Sequence, residues 1–183
     1  YARYGGLEEL VKNLALRKSD TVEYLIYNSV DHPPDGEIPD GVKVKQLKLK
    51  ANGFQGVFYD FWSILDCYRK VDTILLLGIQ GIPLIAFLRL IRKLHVVTNI
   101  GGFEWLRPKF GFLLKHYFKW SFNQSLKHSD VVILDNPYYK SFLPKKISAE
   151  IKILSYGGEI DTSLSINQAL EDKYPFINDD YFL

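Results

Sequence analysis

Glu104, Trp105 and Arg107 stand close together behind a glycine pair, Gly101-Gly102, in the segment NIGGFEWLRPKF at residues 99–110. These residue types can do chemistry together. A carboxylate accepts hydrogen bonds from hydroxyl groups or takes a proton. An indole offers a flat apolar face to a sugar ring, and a guanidinium pairs with phosphate oxygens through a fixed fork of donors. Two residues without side chains let a ligand come close to the backbone. The same residues also admit a purely structural reading, an ion pair between Glu104 and Arg107 that fastens the loop.

Two further glycine pairs raise the same question. Gly5-Gly6 precedes Leu7, Leu10, Val11 and Leu14, the spacing of an amphipathic helix. The start of such a helix offers free backbone N–H groups to an anion. Glu8 and Glu9 already answer part of its dipole, so a phosphate there needs a further cation such as Arg3. Read structurally, the pair only allows a tight turn from strand to helix. Gly157-Gly158 follows the segment IKILSY in the same manner. No G-x-G-x-x-G, P-loop, D-x-D or Cys/His cluster is present, so nicotinamide, phosphate-cradling and metal chemistry lack a signature. The histidines are scattered, and the single cysteine, Cys67, reads as an inert thiol within a helix.

The elements that must position these residues alternate regularly. A helix is predicted over 7–18, a strand over 21–28, a breaker-rich loop over 32–41 and a strand over 42–49 whose apolar and basic residues alternate. A helix follows over 56–70. TILLLG (73–78) is short and apolar, as a strand covered on both faces is. Pro83 then opens a helix reaching residue 93, with a strand over 95–100, a long helix over 110–128, a strand over 130–135, a short helix near 137–143 and a strand from 151. Strands alternating with helices predict a Rossmann-like, doubly wound parallel α/β sheet, in which ligands gather at the carboxyl ends of the strands. The glycines at 78 and 81, 101 and 102, and 157 and 158 all follow predicted strands. By the same rule a strand is expected before Tyr1, and the first strand of the sheet is expected to lie outside this sequence. The lack of any methionine agrees with that expectation.

Length and charge narrow the function. The 183 residues suffice for one domain, or one and a fragment. A formal charge of +2 is too mild for a nucleic-acid partner. The average hides an asymmetry, since residues 73–129 carry +7 and the remainder −5. The basic half is also the most aromatic. Lys109, Lys115 and Lys119 alternate there with Phe110, Phe112, Tyr117, Phe118 and Trp120. Cations flanking exposed aromatics suit the headgroup zone of an anionic membrane. Alternatively the aromatics are core and the lysines their solvated rim.

Three segments carry a resemblance. YARYGGLEELVKNL, GGFEWLRPKF and SYGGEID resemble, in order, the amino-terminal half of glycosyltransferases with the two-Rossmann-domain GT-B fold, and above all bacterial capsule and O-antigen rhamnosyltransferases. Ala2, Tyr4, Gly5, Gly6, Leu7 and Glu8 fall on the end of an I-P-A-x-Y-G-G-F-E loop. Gly101 to Arg107 fall on a D-G-L-E-W-x-R motif. One departure stands out: the aspartate that opens that motif is Gly101 here.

The resemblance implies an acceptor-side domain over 1–161, with 162–183 as a linker and the start of a donor-binding domain. It implies transfer of a sugar, such as rhamnose, from a nucleotide sugar to a lipid-linked saccharide in surface polysaccharide synthesis. That transfer needs no metal or cofactor, and the nucleotide sugar is a substrate. It further implies a cytoplasmic protein held peripherally at the inner membrane face, and an isolated domain that is inactive. Glu104 is expected to contact or activate the acceptor hydroxyl, Trp105 to stack on a sugar or shape the loop, and Arg107 to bind phosphate or orient Glu104. Gly5, Gly6, Gly101, Gly102, Gly157 and Gly158 are expected to line the cleft, and Lys109, Lys115 and Lys119 to face the membrane. The alternative is a Rossmann-like binding module that docks on an anionic membrane or a partner protein without catalysis.

Overall fold

The computed structural model describes residues 6–30, 37–51 and 54–155. The amphipathic spacing behind Gly6 produces helix α1 (Gly6–Leu16), which buries Ala15. Strands β1 (Tyr24–Asn28) and β2 (Val42–Gln46) then pair in parallel, Tyr24 opposite Val42 and Asn28 opposite Gln46. In β2 the alternation is kept: Val42 is buried, while Lys43 and Lys45 face solvent.

Helix α2 (Phe54–Cys67) leads to β3 (Thr73–Leu77), α3 (Ile82–Leu88), β4 (His95–Ile100), α4 (Phe112–His128), β5 (Val131–Leu134) and β6 (Glu150–Ile153). Short 3-10 turns at Glu104–Leu106 and Pro137–Phe142 follow β4 and β5. Strands β3 to β6 form a second parallel sheet in sequence order. All ladders among the described residues are parallel, and the fold is of the Rossmann-like α/β kind. The strands divide into a pair and a set of four, and the strand expected before Tyr1 lies outside the described residues. The two sheets share α2. Its Tyr59 hydroxyl donates to the Tyr27 carbonyl of β1 at 2.6 Å, while its Ile64 and Cys67 pack into the core beneath β3 and β4.

Two expectations change. In β3, Ile74 and Leu76 are buried, but Leu75 is 38% exposed, so the strand is covered on one face by the described residues. Helix α3 stops at Leu88 because the following arginines turn aside to cap other elements. Arg89 donates to the His128 carbonyl at 2.6 Å and to Asp130 Oδ1 at 2.9 Å, and Arg92 donates to the Val71 and Tyr68 carbonyls. No helix among the described residues is long and apolar enough to cross a membrane.

Candidate functional site

The carboxyl ends of β3, β4 and β5 form a common edge, and the chain leaves each of them through polar or glycine-bearing turns. At β4, Ile100 passes into Gly101 and Gly102. Gly102 has a φ of +144°, a conformation that L side chains rarely adopt, and a Cβ there would lie 3.6 Å from the Tyr139 hydroxyl. Here glycine is required by the backbone itself. The chain then enters the 3-10 turn, where the Arg107 N–H closes onto the Glu104 carbonyl at 3.1 Å and Arg107 Nη2 meets Glu104 Oε1 at 3.1 Å. The carboxylate is mostly covered and the guanidinium half exposed. Gly101, Gly102, Glu104, Trp105 and Arg107 therefore occupy one loop, with the acid and the base paired.

Trp105 has a role inside that loop. Its ring lies 4.8 Å from Phe103 and 4.9 Å from Phe122 of α4, while Phe103 also meets Tyr139 at 4.8 Å and Phe142 at 5.0 Å. This cluster clamps the turn after β4 onto α4 and onto the turn after β5. Aromatic packing thus fixes the backbone that carries Glu104 and Arg107.

At β5, Leu134 pairs with Ile100, so Gly101 and Asp135 are the first residues beyond the paired strands on adjacent strands. Asp135 Oδ1 is shut away from solvent and has no hydrogen-bond partner. The neighbouring Asn136 is engaged, since its side chain accepts from the Tyr138 N–H at 2.8 Å.

At β3, the chain passes through Gly78 to Gly81, where α3 begins. A Cβ on Gly81 would stand 2.4 Å from Ile64 Cδ1 and 3.2 Å from Asp60 Cβ, so this turn lies hard against α2. Asp60 accepts a hydrogen bond from the Gly81 N–H, but burial dominates and pushes its carboxyl up to about 7. The Tyr117 hydroxyl of α4 donates to the Gln80 carbonyl at 2.5 Å and ties this turn to α4. Asp60 and Asp135 were both missed in the sequence. Each stood inside an ordinary helix or strand pattern, and only the position of Asp135 at a strand end gave any signal.

Beside this edge lies an apolar groove of about 560 Å³, lined by Phe54 and Val57 of α2 and by Gly111, Phe112, Leu113, Leu114 and Tyr117. Phe112 and Leu113 are 74% and 82% exposed, and Phe54, Phe58 and Trp62 continue the exposed surface along α2. Of the three lysines, Lys109 sits 4.9 Å over the Phe110 ring, Lys119 is exposed and Lys115 half-exposed. Farther along α4, Phe118 and Phe122 are core. Gly6 opens α1 and is exposed; Gly5, Gly157 and Gly158 lie outside the described residues.

Against known proteins, a family model described as a domain of unknown function, DUF1972, matches residues 1–159. The chain belongs to this family. No curated protein matches it.

Proposed function

We propose, with membership of that family as the premise, that this chain is the acceptor-binding domain of a glycosyltransferase that elongates a lipid-linked saccharide. What supports the reading most is the position of the loop 101–107, which leaves the carboxyl end of a central parallel strand with an acid and a base paired on it. The resemblance of that loop to the middle motif of the GT-B rhamnosyltransferases supplies the reaction class.

In this reading the glycine pair admits the acceptor to the backbone. Glu104 accepts from an acceptor hydroxyl, and Arg107 orients Glu104 and offers its free donors to phosphate oxygens. Trp105 holds the loop through its contacts with Phe103 and Phe122, and the part of its ring left exposed is offered to a sugar. The nucleotide-sugar donor is bound chiefly by a further domain, and its diphosphate leaves without a resident metal or cofactor. The exposed apolar groove with its flanking lysines holds the domain peripherally at the cytoplasmic face of an anionic membrane.

The test uses the full-length protein with radiolabelled nucleotide sugars and extracted carrier lipids, counting label that partitions into organic solvent. Transfer from one donor is expected, with turnover at least about tenfold lower in Glu104→Gln and an unchanged melting temperature. No transfer from any donor would favour the second reading, a docking module without catalysis, which the exposed Phe112, Leu113 and Trp62 would serve equally.

A further inference from the structure

We infer that Asp135 is a substrate-binding residue that receives an acceptor hydroxyl beside Gly101; the inference rests on the acceptor-domain reading and adds a second carboxylate to it. Three observations converge on this position. The first is register: Ile100 pairs with Leu134, so the residue beside Gly101 on the adjacent strand is Asp135. Neighbouring strands run about 5 Å apart, so the two residues stand side by side at the carboxyl edge of the sheet.

The second observation is hydrogen bonding. Asp135 Oδ1 is removed from solvent and unpartnered. Buried polar atoms are almost always bonded, so this exception at a strand's carboxyl end calls for a partner, and a ligand hydroxyl supplies one. Ion pairing separates it from Glu104, whose charge is shared with Arg107 at 3.1 Å. The Asp135 carboxylate has all its acceptor capacity at Oδ1 available for a hydroxyl.

The third is enclosure. The turn after β5 folds back so that the Tyr139 hydroxyl would lie 3.6 Å from a Cβ on Gly102. Tyr139 is held there by its ring contact with Phe103 at 4.8 Å. Open glycine backbone, a tyrosine hydroxyl beside it and a carboxylate oxygen without a partner on the next strand suit a polyol, whose hydroxyls donate while its ring C–H face packs. They do not suit a free phosphate, which the carboxylate would repel. Asn136 cannot substitute for Asp135, because its side-chain oxygen already accepts from Tyr138.

The test takes the 183-residue chain and a panel of methyl glycosides of glucose, galactose, N-acetylglucosamine and rhamnose, read by saturation-transfer NMR and by thermal melting. At least one glycoside is expected to bind the wild type, and Asp135→Asn to weaken it by about tenfold or more while melting no lower than wild type. A residue kept for structure behaves in the opposite way, so a melting temperature several degrees lower in Asp135→Asn overturns the inference. So does a glycoside that binds Asp135→Asn as tightly as wild type, and that result leaves the acceptor-domain reading intact. A wild type that binds none of the glycosides overturns the acceptor-domain reading, and the role of Asp135 falls with it.

Discussion

Glu104 and Arg107, which look most chemical in the sequence, are held in one loop by their own ion pair at 3.1 Å, and Trp105 pins that loop to α4. Glu104, Trp105 and Arg107 were legible as a group because their types are unusual together, and they do share one loop. Their division of labour was not legible, since it depends on Phe122 of α4 and Tyr139 of the following turn, both distant in sequence. Asp60 was invisible for a similar reason, because its environment is made by Gly81 and by the helix packing around it. That environment gives it a measurable titration. Burial raises its carboxyl to about 7 from an ordinary value near 3.8. The folded protein therefore holds a proton that the unfolded chain releases, and the contribution of Asp60 to stability falls as pH rises from about 4 to about 7 and is flat above. His128, held below its ordinary value by burial and Arg89, works in the opposite direction as pH falls through the histidine range. Tyr59 and Tyr117 are the other titratable groups near Asp60, and burial keeps both neutral throughout that window. Asp60→Asn should remove this contribution and raise stability at pH 8 by about 1–2 kcal/mol, because the mostly covered side chain keeps some contact with water and so avoids part of the full penalty. Chemical denaturation across that range checks it, and an unchanged slope in the variant would return Asp60 to an ordinary surface acid.

At the scale of elements, periodicity and breakers placed every helix and strand among the described residues, and β4 to the residue. Its limits appear where one element ends by bonding to another. The apolar run of α3 continues through Leu90 and Ile91, yet the helix gives way because Arg89 reaches Asp130 and Arg92 reaches the end of α2. Asp130 in turn accepts from the Val96 N–H at 2.8 Å, so one side-chain pair joins α3, β4 and the start of β5. Arg89→Ala should strand that partly buried carboxylate and destabilise the fold by about 2 kcal/mol, whereas Lys93→Ala, one turn on, should change it little. Helix α2 is fixed by packing of another kind. A Cβ on Gly56 would lie 2.6 Å from the Ala51 carbonyl and 2.7 Å from Gln80 Oε1. Alanine favours a helix over glycine by about 1 kcal/mol, but a backbone carbonyl cannot swing away as a side-chain tip can. Gly56→Ala should therefore be net destabilising by about 1–3 kcal/mol in thermal melts. A stabilised variant would mean that the loop before α2 yields freely.

Across the whole molecule, the charge asymmetry read from the sequence acquires a shape. The +7 of residues 73–129 is spread over the segment after α3, the loop after β4 and α4, and one group of exposed apolar side chains, Phe54, Phe112 and Leu113, lines the groove between the first turns of α2 and α4. The sequence left the aromatics of α4 either as a surface or as core rimmed by lysines, and α4 divides them, with Phe118 and Phe122 inward and Phe112 and Trp120 outside. On the proposed reading the membrane-binding face is small and composite, and draws on both helices. Each cation near an anionic surface contributes about 1 kcal/mol, so reversing Lys115 and Lys119 to glutamate removes two attractions and adds two repulsions, on the order of 4 kcal/mol in all. Phe112→Ser with Leu113→Ser deletes the most exposed apolar pair without touching charge. Binding to vesicles rich in anionic lipid should be lost in the charge-reversed variant and in the serine variant alike, with neutral vesicles poorly bound by all. Loss in the charge variant alone would mean adsorption without insertion, and the apolar groove would then belong to another protein surface. Retention in both would remove the membrane from the reading and leave the lysines as the solvated rim of α4.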